Sequence, residues 1–315
     1  MSETPSPARP LAVGRTGGTR RRDGWWTGVV IGVPYLWLVV LFLVPFLIVF
    51  KISLSETAIA QPPYLPVFPL DSLSGFIESA RDLSVQSYRW LADDPLYLNA
   101  YVSSLRIAAV STALSLLVAY PLAYAMARAS NGLRPILVML TILPFWTSFL
   151  IRVYAWIGIL RNEGYLNQVL LWTGLVDTPL QILNTNTAVY IGIVYSYLPF
   201  MVLPIYASLE RLDGRLLEAA ADLGCTPIRA FWRVTFPLSL PGVLAGAFLV
   251  FIPAVGEFVI PDLLGGSQTL MIGKTLWDEF FANRDWPVSS AVAVILLLLL
   301  VVPIALFQRV QAKTV

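Results

Sequence analysis

The stretch EAAADLGCTPIRAFWRVTFP occupies residues 218–237 and lies between two long apolar segments of the chain. Gly224 follows a short helix-favouring run and is a typical helix end signal, because glycine adopts a left-handed backbone at little cost. Thr226 and Pro227 come next and are a typical helix start signal. The stretch therefore predicts two short helices joined by a specified bend, with Pro237 ending the second one.

The first of these predicted helices is amphipathic, and Asp213 is placed to cap its N-terminus. Its polar face is formed by Arg215, Glu218 and Asp222. Its apolar face is formed by Leu212, Leu216, Ala220 and Leu223. Two interpretations are open at this point. The helix pair is either a surface anchor for the loop or a rigid knob for a partner protein, to which small alanine side chains would permit close approach.

The composition places the chain in a membrane. Of its residues, 57% are hydrophobic and 13% are charged, with a mean hydropathy of +0.73. Soluble proteins contain about 25% charged residues. With no His and one Cys, the chain lacks the residues for a Cys/His zinc site, a His-based catalytic triad or an internal disulfide. The net charge of +2 gives no indication of nucleic-acid binding.

Six apolar segments are long enough to cross the hydrocarbon core, for which a helix needs about 20 residues. They are residues 26–50, 98–127, 135–160, 187–209, 239–260 and 288–308. The first is longer than the apolar run of a cleaved signal peptide, about 7–15 residues, so an uncleaved first span is the preferred interpretation. The predicted fold class is therefore an all-α membrane protein with six transmembrane helices.

The basic residues predict the orientation. With both termini in the cytoplasm, thirteen Lys and Arg residues lie on the cytoplasmic side and six on the outer side, which favours this arrangement. Residues 1–24 are predicted to be a disordered basic cytoplasmic tail, and residues 25–315 the transmembrane domain. The charged segment 210–238 then faces the cytoplasm. The long loop 51–97 faces outward and is expected to be functional or disordered, and a short helix is expected near 161–176.

The opening stretch also resembles a known motif. Glu218-Ala219-Ala220, then Gly224 after three residues, then Val234-Thr235-Phe236-Pro237, resemble the EAA loop of ABC-importer permeases. The family pattern ends in Ile-x-Leu-Pro, so the Val and the Phe are apolar departures from it. Further stretches resemble polyamine-transporter permeases, most nearly putrescine permease subunits: VFIPAVGEFVIPDLLGG (250–266), NRDWPVSSAVA (283–293), ILPFWTSFLIRVYAW (142–156) and DDPLYLNAY (93–101).

This resemblance covers most of residues 30–305 and implies the type I ABC-importer permease fold. The chain would be a non-catalytic transmembrane subunit that binds no cofactor and pairs with a second, homologous permease in the bacterial inner membrane. Two partner ATPase subunits, which hold the ATP and Mg, would dock on segment 210–238. The coupling residues that the resemblance implies are Glu218, Ala219, Ala220, Gly224, Thr226, Pro227 and Pro237.

The same resemblance implies a periplasmic polyamine-binding protein that delivers the substrate to this chain. Putrescine is the first expectation, with spermidine or another small cation as the alternative. ATP hydrolysis by the chain itself is not expected. Gly273-Lys274-Thr275 looks like the end of a phosphate-binding loop, but position 268 is Gln where that motif requires Gly.

Glu257 is the main candidate for the substrate path, because a carboxylate inside an apolar span usually faces a cavity or a partner. It could attract the ammonium group of a polyamine, or it could form a purely structural ion pair with Arg152. Three acids near the predicted outer mouth could assist, although solvated loop acids are the favoured interpretation of them: Asp262, Asp278 and Glu279. The aromatic candidates, which suit an ammonium but could equally be packing residues, are Trp146, Tyr154, Tyr195 and Tyr197.

A secondary transporter driven by ions is the alternative functional class. Such a protein is expected to carry interrupted helices or relay carboxylates in two repeated halves. The chain has Glu257 as a candidate relay acid and shows no internal sequence repeat. The sequence therefore favours the ATP-driven importer.

Overall fold

The computed structural model describes residues 24–68 and 73–314, and these residues are mostly helical. The predicted basic tail lies outside the described residues except for Gly24. The described residues fall into two compact units, which divide between Val49 and Phe50. The first described elements are helix α1 (Gly24–Leu38), a π-helical turn (Val39–Leu43) and helix α2 (Val44–Ser53).

The π turn lies directly before a proline. The backbone N–H of Val44 donates to the carbonyl oxygen of Val39, five residues earlier, and Pro45 follows. Proline has no N–H, and in an α-helix its ring collides with the carbonyl group four residues before it. The wider turn moves that carbonyl group aside, so the helix continues through the proline.

The loop between the first two predicted spans contains regular structure in its described part. Strands β1 (Glu56–Thr57) and β2 (Tyr64–Leu65) pair antiparallel, and helices α3 (Leu73–Arg81) and α4 (Gln86–Asp93) follow. Thr57 Oγ1 donates to Asp285 Oδ1 at 2.7 Å, which ties the hairpin to a distant part of the chain. Disorder, one of the two expectations for this loop, is therefore wrong for the residues that the structure describes.

Three long helices form the centre of the second unit: α5 (Pro95–Arg128), α9 (Asn186–Glu210) and α12 (Phe236–Val255). Glycines allow α9 and α12 to approach closely. A Cβ atom on Gly242 would lie 2.5 Å from the carbonyl oxygen of Pro204, and one on Gly246 would lie 2.9 Å from Met201 Sδ. Small residues at such contacts are typical of membrane helices, where packing rather than the hydrophobic effect holds helices together.

The predicted span 135–160 is not one helix. Helix α6 (Arg134–Ile142) passes into a 3₁₀ turn (Leu143–Trp146) and stops, and helices α7 (Phe149–Leu160) and α8 (Tyr165–Trp172) leave at an angle of 91°. Thr147 is the break, with an extended backbone at φ −98° and ψ 150°. Its Oγ1 donates to the carbonyl oxygen of Pro144 at 2.8 Å, which stabilises the turn that the proline introduces.

The remaining helices are α10 (Arg215–Asp222), α11 (Pro227–Ala230), α13 (Val259–Leu264), α14 (Ile272–Phe281) and α15 (Trp286–Thr314). Among the described residues, four helices are long and apolar enough to cross a membrane: Gly28–Ser53, Pro95–Arg128, Asn186–Glu210 and Pro227–Val255. The bent pair adds a fifth if it counts as one span, and Trp286–Val301 is a shorter apolar helix. The chain is thus an all-α membrane protein.

Candidate coupling surface and translocation cavity

Helix α10 begins and ends as its sequence predicts. Asp213 Oδ1 accepts a hydrogen bond from the backbone N–H of Arg215 at 3.0 Å, which satisfies one of the free donors at the helix start. At the other end, Gly224 has a φ of +76°, in the left-handed region. The N–H groups of Gly224 and Cys225 donate to the carbonyl oxygens of Ala221 and Ala220, at 2.8 and 2.9 Å, which is the Schellman arrangement.

The second helix starts where predicted but does not stop there. Thr226 has the extended backbone of an N-cap residue, and Pro227 is the first residue of α11, although the Thr226 side chain makes no capping hydrogen bond. The expected end before Pro237 is wrong. A second π turn (Phe231–Thr235) links α11 to α12, and the N–H of Phe236 bonds to the carbonyl oxygen of Phe231, so the helix accommodates Pro237.

The surface of this segment is exposed and carries both charge and large apolar groups. We call it the 215–232 surface; Glu218, Ala219, Thr226 and Pro227 are exposed on it, whereas Ala220 is half-buried. Its large exposed apolar side chains are Leu216, Leu223, Ile228 and Trp232. Apolar groups ringed by charge on an exposed rigid segment are typical of a protein-binding surface.

Aromatic packing joins this surface to the central helices. The Phe231 ring lies edge-on to the rings of Tyr120 and Tyr124 on α5, with centroids 5.6 and 6.1 Å away. The Tyr120 hydroxyl shares a 2.9 Å hydrogen bond with Ser239 Oγ on α12. The 215–232 surface is therefore in direct contact with α5 and, through Tyr120, with α12.

An ion pair lies just before the 215–232 surface, at the end of α9. Arg134 Nη1 lies 3.2 Å from Glu210 Oε1, at the last residue of α9. Arg134 Nη2 also donates to the carbonyl oxygens of Ala127 and Ala129 at the end of α5, at 3.2 and 3.3 Å. One guanidinium group thus ties the ends of α5 and α9 to the beginning of α6.

A cavity of about 570 Å³ lies at the opposite end of α12. Its wall is formed by the bent segment, α9 and the residues after α12, among them Phe145, Phe149, Arg152, Ser196, Tyr197 and Glu257. The Glu257 carboxylate is 7% exposed. Its Oε1 accepts from the backbone N–H groups of Val259 and Ile260 at 3.0 and 3.4 Å, and its Oε2 accepts from the Tyr197 hydroxyl.

The structural ion pair between Arg152 and Glu257 is absent, since no nitrogen of Arg152 lies within 4.0 Å of the carboxylate. Arg152 instead lies over the rings of Phe145 and Phe149, with its Cζ atom 5.4 and 5.8 Å from their centroids. The Glu257 carboxylate is instead bonded to the backbone N–H groups at the start of α13. Sequence reasoning gave Arg152 no place on the path. Its spacing of three residues from Phe149, which puts the two on one face of α7, is the signal that could have done so.

The other predicted path residues lie away from this cavity. Trp146 and Tyr154 are 75% and 58% exposed, and Tyr195 packs edge-on against Trp156 at 5.3 Å. Asp262 forms a 3.2 Å ion pair with Lys274. Of the predicted path residues, the structure brings together only Glu257 and Tyr197.

The sequence Gly273-Lys274-Thr275 has a packing role that sequence reasoning missed. A Cβ atom on Gly273 would lie 2.3 Å from the carbonyl oxygen of Gly256 and 2.6 Å from that of Glu257. The start of α14 therefore packs directly on the backbone turn that carries Glu257. Only glycine at position 273 permits this approach.

Comparison with known proteins identifies the family of this chain. Residues 111–315 match the family model described as a binding-protein-dependent transport system inner membrane component. The spermidine/putrescine transport system permease protein PotB of Haemophilus influenzae is 38% identical over 281 residues, which cover 89% of this chain and 92% of that protein. The protein of the same name from Escherichia coli is 44% identical over 216 residues, covering 69% and 78% of the two chains.

A solved structure has the same fold. The crystal structure of a bacterial ABC transporter that imports the acidic polysaccharide alginate matches with a TM-score of 0.63 at 16% identity, over 93% of this chain and 96% of that one. The two relatives above are spermidine/putrescine permeases, and they do not support the expected special likeness to the putrescine-only subunit. The chain belongs to the family of inner membrane components of binding-protein-dependent transport systems, and its fold is that of an ABC-importer permease.

Proposed function

We propose that this chain is the transmembrane permease subunit of an ATP-driven importer for polyamines. One observation carries the proposal: the exposed 215–232 surface and the Glu257 cavity lie at the two ends of one helix. Residues Pro227–Val255 form 29 continuous helical residues, about 43 Å at 1.5 Å per residue. Glu257 is the second residue after them. Force applied at one end therefore reaches the other without passing through a flexible loop.

The mechanism is alternating access. ATP binding by the partner subunits draws the 215–232 surfaces together, and the packing of Phe231 against Tyr120 and Tyr124 passes this movement to α5 and α12. The Schellman hydrogen bonds at Gly224 keep the end of α10 rigid, so that the movement displaces the central helices and does not unwind α10. The cavity then opens toward the outside, receives substrate, and returns after hydrolysis. No residue of this chain performs covalent chemistry.

The proposed assembly has four further subunits and a defined orientation. A second, homologous permease completes the pathway, and two ATPase subunits carrying ATP and Mg dock on segment 210–238. A periplasmic polyamine-binding protein delivers substrate from the other side of the bacterial inner membrane. Both termini are cytoplasmic in this arrangement, as the distribution of basic residues favours.

The cavity suits a polyamine chemically. Glu257 Oε2 keeps a lone pair free beside its bond from Tyr197, so the carboxylate can accept from an ammonium group. Aromatic walls, including Phe145, Phe149 and Phe200, suit the methylene chain and the ammonium charge. The names of the relatives point to spermidine and putrescine together. Putrescine, with its shorter chain, is our first choice for this chain.

The function is tested by uptake in proteoliposomes that contain the assembled transporter, with binding protein outside and ATP inside. We expect uptake of radiolabelled putrescine or spermidine that needs ATP and is insensitive to a protonophore. Glu218→Lys should abolish this uptake, because it reverses a charge on the docking surface, whereas Glu163→Lys, an exposed acid elsewhere, should not. Uptake that survives ATP depletion and collapses with the protonophore would instead identify an ion-driven transporter.

A further inference from the structure

The cavity beside Glu257 contains hydrogen-bond donors that nothing in the protein satisfies. Arg152 is 9% exposed and Ser196 is 3% exposed. Among the described residues, Arg152 Nε, Arg152 Nη1 and Ser196 Oγ have no hydrogen-bond partner. Leaving a buried polar group unpaired destabilises the protein, and more so when the group is charged. Two such side chains on one cavity wall indicate a ligand that accepts hydrogen bonds.

The charge of the cavity identifies the kind of acceptor. Cation–π contact with Phe145 and Phe149 lowers the cost of the buried guanidinium group but supplies no counter-charge. The Glu257 carboxylate lines the same cavity but forms no ion pair with Arg152; its hydrogen bonds come from Tyr197, Val259 and Ile260. A carboxylate brings a negative charge and about four lone-pair positions, enough for the free donors of Arg152 and Ser196.

The same cavity offers a place for a cation. Glu257 has a remaining lone pair and lines the cavity that Arg152 also lines, together with apolar side chains. A ligand with an ammonium group at one end and a carboxylate at the other leaves the cavity with no added net charge. A diamine adds two positive charges beside an arginine that has no counter-ion.

We propose that Arg152 and Ser196 form a carboxylate-binding subsite, and that the transporter accepts, besides diamines, an ω-amino acid whose ammonium group binds at Glu257. This proposal rests on the proposed function, since it places both ligands in the translocation cavity. Arg152 provides the charge and most of the affinity for the carboxylate. Ser196 provides a further neutral hydrogen bond.

The test uses γ-aminobutyrate and putrescine, which have the same number of backbone atoms and differ in one end group. Equilibrium binding of each radiolabelled compound is measured on the assembled transporter in lipid nanodiscs, without the periplasmic protein. We expect γ-aminobutyrate to bind the wild type, to bind Arg152→Gln about tenfold or more weakly, and to bind Ser196→Ala a few-fold more weakly. Putrescine should bind Arg152→Gln at least as well as the wild type, because a positive charge has been removed.

Two further variants serve as controls. Arg106→Gln removes an arginine of α5 that does not line the cavity and should leave γ-aminobutyrate binding unchanged. Arg152→Lys keeps the charge but not the planar group, and should restore part of the binding lost in Arg152→Gln. Absence of γ-aminobutyrate binding to the wild type, or equal binding to the wild type and Arg152→Gln, would overturn the subsite. ATP-driven putrescine uptake is measured separately, so its failure would count against the proposed function alone.

Discussion

The hydroxyl of Tyr197 on α9 donates to Oε2 of Glu257, the second residue after α12. This hydrogen bond joins two of the three central helices at the cavity, at the end of α12 opposite the 215–232 surface. A relative movement of α9 and α12 must therefore stretch or break it. The carboxylate that is proposed to hold the ammonium group is thus also held in place by a contact with α9.

Glu257→Gln is expected to raise the KM for polyamine uptake about tenfold or more, because a charge-assisted hydrogen bond is worth about 1.5–3 kcal/mol. Glutamine keeps the shape of the side chain and can still accept from the N–H groups of Val259 and Ile260. The measurement is the concentration dependence of putrescine uptake in proteoliposomes. Asp262→Asn is the matched control, since Asp262 pairs with Lys274 outside the cavity. An unchanged KM in Glu257→Gln would remove Glu257 from the path.

Gly224→Val is expected to uncouple ATP hydrolysis from transport. At a φ of +76° a β-branched residue is strained, by about 1–2 kcal/mol or more, so the end of α10 should unwind. ATPase activity and putrescine uptake, measured together in proteoliposomes, should show hydrolysis without uptake. Gly214→Val is the control, because Gly214 has a φ of −57° and open space around it. Normal uptake per ATP in the Gly224 variant would contradict the rigid-bend explanation.

Gly242→Ala is expected to destabilise the contact between α9 and α12 by about 1–3 kcal/mol, because the new methyl group collides with the backbone oxygen of Pro204. Gly246→Ala should cost less, since its new carbon would lie 2.9 Å from the movable Met201 Sδ and no closer than 3.0 Å to the Met201 carbonyl oxygen. Thermal unfolding in detergent measures both. Gly158→Ala, on α7 with no atom within 4 Å of the new carbon, should have an unchanged Tm. Equal Tm values for all three variants would show that this close packing does not limit stability.

Cys225 provides a test of orientation, because it is the only cysteine and is partly exposed directly after the Gly224 bend. A thiol reagent that cannot cross membranes should label it in inside-out vesicles and should leave it unlabelled in intact spheroplasts. Cys225→Ala supplies the background. Labelling in spheroplasts would place the 215–232 surface outside the cell and reverse the proposed topology.

Local signals were predicted well from the sequence because they depend on a few neighbouring residues. The cap at Asp213, the left-handed Gly224 and the start at Pro227 each follow from backbone rules that hold in any protein. Pro237 was misread because the rule for proline assumes an α-helical hydrogen-bond pattern. The π turn before it changes that pattern, and no local residue preference predicts such a turn.

The cavity depends on contacts between distant residues and could be predicted only in part. Glu257 was identified because an acid in an apolar segment needs a partner, and that reasoning does not depend on the fold. The hydrogen-bond partners of this acid depend on the position of α13, whose N–H groups bond to the carboxylate, whereas Arg152 does not. The role of Gly273 depends equally on how α14 meets the turn at Gly256 and Glu257, which lies 16 positions or more away in the sequence.

The π turn at Phe231–Thr235 also sets the rotational phase between the two ends of the long helix. Each residue advances an α-helix by about 100°, and a π turn holds one residue more than the α-helical pattern needs. If the same residues closed into a regular α-helix without the π turn, the 215–232 surface would turn by roughly that angle relative to Glu257. Both local structures would survive, but they would face different directions. The number of residues between Pro227 and Pro237 is therefore itself a constraint, independent of which side chains they carry.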